Sequence, residues 1–480
     1  MTQPAKPFLE EAAALLGPRG LIRDPDLLAP WLTDWRGRYT GRALALAAPA
    51  DTQELSALVR LCAQAGVPMV PQGGNSGMSG GATPDASGAA LLISLRRLNS
   101  IGPVDAAGRK VTCGAGAVLQ DLHQAAEDAG LRFPLTLGGK GSATVGGLIS
   151  TNAGGSQVLR HGSMRAQVLG IEAVLPDGRI YSALTPLKKD NRGFDLKQLF
   201  IGSEGTLGIV TAATLRLVPQ TQGRVVAWAG CGSIHAARAL LLLAEERLGE
   251  ALEGFEVLPQ TCLDAVLTYL PDARAPLEEP QAWHALIEVV GDPARLRGAL
   301  EDLLGEALAA GTIADATIAA SEAQAEALWT LRESISPAER AKGPAAQHDV
   351  AVPVESMPAF IEEARVRIEA DWPGTRAFGF GHLGDGNIHF HVAAPPGVDA
   401  ASWDAGDGKA ISRTVHDLVT AAQGTISAEH GIGQMKLGEL ERLADPVALS
   451  LMRQVKAVLD PRGLLNPGKL VSLAPRPPTP

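Results

Sequence analysis

Two histidines, His382 and His389, bracket an Asp-Gly pair in the stretch GFGHLGDGNIHFHV (379–392). Asp-Gly between alternating apolar runs is a strong short hairpin signal. With Asp385 and Gly386 at the two central turn positions, counting outward sets Leu383 opposite Ile388 and His382 opposite His389. Directly opposed residues have Cβ atoms about 4.5–5.5 Å apart, close enough for two imidazoles to share one metal ion. Ile388, Phe390 and Val392 fall on the other face by the period of two and can anchor the hairpin to a core. The competing reading is an ordinary half-exposed hairpin, because zinc generally takes a third protein ligand. SAEHGIG (427–433) offers one in Glu429, with His430 immediately after it. Two histidines and a glutamate leave an open coordination position, the pattern of a catalytic zinc, and manganese or cobalt accept the same donors.

A second kind of chemistry is written in glycine. PQGGNSGMSGG (71–81) holds five glycines and three small polar residues, more than a turn requires. Successive free backbone N–H groups in such a loop form an anion-binding nest, and the missing Cβ atoms let a ligand approach closely; a flexible surface loop is the alternative. GGKGSATVGGLISTNAGG (138–155) is a second such block, and IGSEGTLGIV (201–210) a third glycine-spaced segment. Two blocks in one domain suggest a large ligand gripped along its length, such as a dinucleotide. The P-loop pattern fails because Lys140 is followed by Gly141, and the GxG at Gly114–Gly116 has Leu119 where a third glycine belongs.

The elements needed to position these groups follow from periodicity. Helices are expected over Phe8–Leu16, Thr52–Gly66, Ala117–Ala129, Phe194–Phe200, Ile234–Leu248, Pro293–Ala310, Glu322–Ser334, Pro358–Ala370, Ala400–Gln423 and Pro446–Asp460. Strands are expected at Pro68–Val70, Leu91–Leu95, Lys110–Gly114, Val168–Leu175, Trp283–Val290, Thr312–Ala319 and Asp349–Pro353. Past about residue 222 the glycine blocks stop and longer helices alternate with strands, which predicts an antiparallel sheet covered on one face. The terminal APRPPTP is expected to be disordered. At 480 residues with 46% apolar composition, two or three domains with real cores are expected. A net charge of −10 without a basic run argues against nucleic acid. Four scattered cysteines (Cys62, Cys113, Cys231, Cys262) argue for a reducing compartment, and an N-terminus without a signal-peptide pattern points to the cytoplasm. No apolar run is long enough for a transmembrane helix.

Taken together, PQGGNSGMSGG, GGKGSATVGGLISTNAGG, LKKDNRGFDLKQLFIGSEGTLGIV (187–210), GHLGDGNIHFHV (381–392), SAEHGIG and LDPRGLLNPGKL (459–470) resemble the FAD-binding oxidoreductases of the vanillyl-alcohol oxidase type, and within them the D-2-hydroxyglutarate and related D-2-hydroxyacid dehydrogenases. The resemblance implies an α+β fold: a two-part FAD-binding domain (1–222), an α+β cap (223–425) and a C-terminal segment (426–480) returning to the flavin. It implies non-covalent FAD, since the first block holds no His or Cys. Gly73, Gly74, Asn75, Ser76 and Gly77, with Gly141, Ser142, Gly146, Gly147, Asn152 and Gly154, would hold the pyrophosphate and ribityl parts. Gly205 and Ile209 would lie along the adenine side and Asn466 near the flavin ring. His382, His389 and Glu429 would be metal ligands, zinc first, and His430 the base. Arg332 and Ser336, four apart in LRESIS, would contact the substrate carboxylate, with Asn387 also lining the site. An Arg grips a carboxylate with two parallel hydrogen bonds, a zinc on the α-hydroxyl favours the alkoxide, and the hydride at C2 leaves to flavin N5. Without the resemblance, Arg332 would read as an exposed ion pair with Glu333 or Glu339.

Two positions depart from the close-relative pattern: Gln347 stands where those relatives carry Lys, and His391 where they carry Asn. One positive charge for a distal carboxylate is thereby lost, so D-lactate or another D-2-hydroxyacid, or glycolate, rivals D-2-hydroxyglutarate as substrate. The resemblance further implies an electron-transfer flavoprotein or a quinone as electron acceptor, and a homodimer. From another class, a zinc hydrolase built on His382, His389 and Glu429 with purely structural glycine loops remains open, as does a non-catalytic binding protein.

Overall fold

The structure is a computed structural model of the 480-residue chain and describes residues 5–187 and 189–473, so the APRPPTP tail lies outside the described residues. The chain divides into two compact units, one formed by residues 1–155, 161–220 and 429–480, the other by 156–160 and 221–428.

The first unit builds two four-stranded sheets on one large core, with a smaller cluster of Leu28, Leu46, Val70, Ala90 and Leu92 on the other face of the first sheet. In the first sheet Leu46–Ala47 and Met69–Gln72 flank Leu91–Ser94 in parallel, and Leu21–Ile22 adds an antiparallel edge. The second is antiparallel, in the order Lys110–Gly114, Ile209–Arg216, Val168–Val174, Ile180–Ala183. The Thr52–Ala65 helix shows how local signals set these elements. Asp51 accepts the Glu54 amide as N-cap, Leu55, Leu58, Val59 and Cys62 form the buried face, and Gly66 ends the helix in the left-handed region at φ 70°. The second glycine block holds a helix that the glycine count obscured, Val145–Thr151. Gly146 is required there because a Cβ would lie 2.7 Å from that of Ala115. Lys456, 2% exposed on the Pro446–Leu459 helix, donates to the carbonyls of Thr206 (2.7 Å) and Leu465 (2.8 Å) and pairs with Asp460. The C-terminal stretch is thereby tied to the third glycine segment.

The second unit is organised on a seven-stranded antiparallel sheet. Its order is Asp315–Ile318, Arg224–Cys231, Trp283–Val290, Leu252–Pro259, Arg376–His382, Asn387–Ala393, Ala345–Ala351. Two of these strands, Arg224–Cys231 and Leu252–Pro259, were not anticipated from the sequence. The expectation of one covered face is also corrected. Helices including Ile234–Leu248, Pro293–Ala309 and Met357–Asp371 pack on one face, and Gln260–Tyr269, Glu322–Glu333 and Ile335–Ala341 pack on the other. In Arg224–Cys231, Val225 and Ala227 enter one core while Val226 and Trp228 enter the other. A continuous apolar run is what a strand buried on both faces requires.

The histidine hairpin forms, but in another register. His382 pairs with Asn387, Gly381 with Ile388 and Phe380 with His389, so His382 and His389 are diagonal rather than opposed. The connection lengthens to Leu383–Gly386 because Leu383 leaves the ladder. Its amide donates to the carbonyl of Phe255 (3.1 Å) and its side chain is fully buried. The shift is two residues, which preserves every face assignment. Ile388, Phe390 and Val392 are fully buried, together contributing on the order of 5–9 kcal/mol of apolar burial. A second correction concerns Arg332 and Ser336, which do not share one helical turn. The first helix stops at Glu333 and a new one starts at Ile335, because Pro337 has no N–H to donate to the carbonyl four residues back.

Candidate active site

On the face of this sheet bearing His382, one buried carboxylate organises the chemistry. Glu256, 1% exposed in the Leu252–Pro259 strand, pairs in register with His382 and accepts its Nδ1–H in a short hydrogen bond. Its other oxygen accepts Nε and a terminal nitrogen of Arg332, each at 2.7 Å. Burial alone would raise the Glu256 carboxyl, but the Arg332 guanidinium and the His382 ring hold it well below the usual carboxylate range. With Nδ1 committed to Glu256, the neutral His382 ring carries its lone pair on Nε2, the tautomer and orientation that a carboxylate imposes on a metal-ligating histidine. Phe380, fully buried, is the floor: His389 (5.2 Å) and His391 (5.1 Å) contact its ring, and the Arg332 guanidinium lies 5.3 Å from its centroid. His382 and His389 meet edge-on, ring centroids 5.6 Å apart. The donor set and its orientation fit a divalent ion.

Glu256 was missed in the sequence because an acid inside EGFEVLP reads as breaking a strand. The signal available was a pair of acids, Glu253 and Glu256, in a short run of otherwise apolar residues and glycine. The neighbouring strand contributes Asp349, opposite His389, and Gln347, opposite His391. Asp349 Oδ1 accepts the Asn387 side-chain amide at 2.9 Å, and Val350 O accepts it at 3.0 Å. Asn387 Oδ1 is buried without a hydrogen-bond partner among the described residues. His391 is 5% exposed on the same face as His389. Ser336 is half-buried, with its carbonyl accepting Arg340 Nε at 3.3 Å.

In the other unit, the first two glycine blocks lie against each other. A Cβ at Gly73 would fall 2.3 Å from Thr144 Oγ1, and one at Gly74 would fall 1.8 Å from the Ser142 carbonyl oxygen. The amides of Gly74, Asn75, Ser76 and Gly77 donate no hydrogen bond among the described residues, and a Cβ at Gly77 would meet open space. Thr144 Oγ1 and Asn466 Oδ1 are buried with no partner among the described residues. Successive uncommitted amides with orphaned polar atoms beside them form a cradle that fits the pyrophosphate of a dinucleotide. Asn75 binds the Thr33 carbonyl at 2.8 Å. Asn152, at φ 51°, accepts Ser163 Oγ (3.0 Å) and the Arg165 amide (2.9 Å), fixing the exit of the second block. Gly141 lies near Gln120, and Gly147 near Thr144. The Ile209 side chain is 1% exposed within the core, and Gly205, at φ 69°, packs on Pro71. Asn466 clamps two loops, donating to Gly81 O (3.0 Å) and Glu204 O (2.7 Å). Glu429 and His430 open the last segment of this unit, and the His430 carbonyl accepts Ser79 Oγ at 3.1 Å.

Comparison with known proteins agrees with this picture. Residues 43–183 match the FAD binding domain family, and residues 220–470 match the C-terminal domain of FAD linked oxidases. The fold and these two matches define an FAD-linked oxidoreductase. The "Probable D-2-hydroxyglutarate dehydrogenase, mitochondrial" of Oryza sativa subsp. indica is 37% identical over 460 residues, covering 95% of this chain and 80% of that one. The mitochondrial D-2-hydroxyglutarate dehydrogenase of Bos taurus is 37% identical over 95% of this chain and 81% of its own. The D-2-hydroxyglutarate dehydrogenase of Xanthomonas citri pv. viticola is 36% identical, covering 98% of this chain and 97% of that one. The chain belongs to the D-2-hydroxyglutarate dehydrogenase family. Among solved structures, a p-cresol methylhydroxylase superposes with TM-score 0.75 at 13% identity, covering 98% of both chains. A 4-ethylphenol oxidase from Gulosibacter chungangensis superposes with TM-score 0.74 at 17% identity, covering 99% and 98%. These are likenesses of fold, of the vanillyl-alcohol oxidase type. No described helix is long and apolar enough to cross a membrane.

Proposed function

We propose that the chain oxidises a D-2-hydroxyacid to the 2-oxoacid, assisted by a divalent metal ion, zinc first. The observation that carries this reading is Glu256, whose two oxygens hold a histidine of metal-ligand type and a carboxylate-binding guanidinium side by side. Bound FAD supplies a two-electron hydride acceptor, and the metal a Lewis acid; the glycine cradle would hold the first, His382, His389 and Glu429 the second. Arg332 and Ser336 bind the substrate carboxylate; the Nε and one terminal nitrogen of Arg332 are engaged by Glu256, which orients the rest of the fork. His430 takes the hydroxyl proton on its imidazole, the side chain most often used as a general base at neutral pH. Asn387 lines the site on the His382 side, and Gln347 and His391 line its far end. Gln347 opposite His391 offers no fixed cation there, which favours D-lactate or another monocarboxylic D-2-hydroxyacid as second reading. An electron-transfer flavoprotein or a quinone would take the electrons onward. The FAD-linked class sets aside the zinc hydrolase. Four free, buried cysteines fit a reducing compartment such as the cytoplasm.

The test is anaerobic spectroscopy of the flavin with D-2-hydroxyglutarate and D-lactate added separately, before and after a chelator. Chelator-sensitive bleaching of the visible flavin band is expected, slowed about 10²–10⁴-fold in His430→Ala with FAD retained. A flavin that neither acid bleaches refutes the substrate class. A kcat/KM preference of about 10³ for the dicarboxylate, on the order of 4 kcal/mol, refutes the second reading.

A further inference from the structure

We infer that Glu204 is a positioning residue for the His430-bearing loop, coupling it to all three glycine segments of the flavin unit. The inference rests on the reading of His430 as the base. Glu204 sits in IGSEG, a segment expected to serve only the cofactor, yet its carboxylate points at the C-terminal stretch. Oε1 accepts the Ile432 amide at 2.6 Å and Oε2 accepts the Gly433 amide at 2.7 Å. Two N–H donors, one on each oxygen, make charge-assisted hydrogen bonds to the carboxylate form and favour it.

Everything around this pair fixes its place. Glu204 takes a left-handed backbone at φ 52°, which a non-glycine residue adopts only when its surroundings enforce it. Its amide donates to Ser150 O of the second glycine block at 2.7 Å, and its carbonyl accepts Asn466 Nδ2. From the other side Ser79, at the end of the first glycine block, donates its hydroxyl between His430 O (3.1 Å) and Gly431 O (3.0 Å). The two glycines of HGIG are required by this wedge. A Cβ at Gly431 would lie 2.9 Å from Glu204 Oε1, and one at Gly433 would lie 2.0 Å from Ser79 O. The backbone of 430–433 is therefore gripped between Ser79 and Glu204. Burial raises the Glu204 carboxyl above its ordinary range, opposed by the Ile432 and Gly433 amides and by Lys436 and Lys469. Lys469, itself pushed down to about 8 by burial, is 2% exposed.

The test is stopped-flow anaerobic flavin reduction by D-2-hydroxyglutarate in the holoenzyme, comparing Glu204→Gln, His430→Ala and the double variant. Glu204→Gln keeps the side-chain volume but offers one acceptor where two donors point. A loss of about 10²-fold in the limiting reduction rate is expected, the scale of a small misplacement of a catalytic group. FAD content and substrate Kd should stay near wild type, and the double variant should be no slower than His430→Ala alone. Glu172→Gln is the control: Glu172 accepts the Thr52 and Thr211 hydroxyls at 2.8 Å in the same unit, and its loss should leave the rate unchanged. Should Glu204→Gln fail to fold, Ser79→Ala loosens the same loop from the other side and should show the same non-additivity with His430→Ala. A wild-type rate in Glu204→Gln, or losses that multiply in the double variant, overturns the inference while the base assignment stands. A wild-type rate in His430→Ala overturns the base assignment itself, and with it the route through which Glu204 acts.

Discussion

Replacing Glu256 by Gln should damage stability and metal binding together. Gln has the same shape but one acceptor oxygen, and its amide must face either the His382 Nδ1–H or the Arg332 guanidinium. Arg332 is only 9% exposed and would lose its counter-ion. Breaking a buried ion pair by removing one partner costs about 3–5 kcal/mol. In a unit of roughly 150–250 residues each kcal/mol moves Tm by about 2–4 °C, so a fall of about 6–20 °C is expected. Because the folded-state pKa of Glu256 lies below its unfolded value, this stabilisation is fully present at neutral pH and is lost as pH falls through the depressed folded value. Loss of the carboxylate that orients a ligating imidazole should weaken metal binding about 10–100-fold. The assays are calorimetry of both proteins at pH 7 and metal content per FAD, by mass spectrometry after dialysis against a graded chelator series. A Tm within about 2 °C of wild type together with unchanged metal retention would refute the role given to Glu256.

Two further outcomes follow from the geometry of each unit. Gly74→Ala drives a Cβ to 1.8 Å from Ser142 O, and overpacking of about 1–3 kcal/mol should weaken FAD about 5–150-fold, read as flavin lost on gel filtration; Gly77→Ala, placed in open space, should keep the wild-type Tm and still weaken FAD. His284, 1% exposed, accepts the Trp228 indole N–H on Nδ1 and donates from Nε2 to Gln260, and burial pushes its pKa down to about 4. The unfolded chain therefore binds the proton first, so stability should fall by about 3 kcal/mol as pH drops from ~6.5 to ~4; denaturant titrations of wild type and His284→Gln that run parallel across this window would refute it.

Features that depend only on near neighbours along the chain are legible in the residues themselves. The three glycine segments are legible because a missing Cβ and an uncommitted amide are properties of the residue, and Gly73, Gly74 and Gly146 are glycine for contacts in which any side chain would collide. The hairpin face was also legible. A connection of two residues and one of four keep the same parity, so His389 and His391 share a face in either register. Tertiary structure decided the rest. The register went to the four-residue connection because Leu383 found a carbonyl and a core on a strand far away in sequence. Glu256 could not be picked out because its partners Arg332 and His382 lie 76 and 126 residues away. An acid inside an apolar strand declares itself only when those cations arrive. Glu204 likewise looked like one more residue of a cofactor loop, and only folding brings the amides of Ile432 and Gly433, 228 and 229 residues on, to its two oxygens. Periodicity and missing side chains can be read from neighbours along the chain, whereas the pairing of a buried charge is a long-range match that only the folded chain makes.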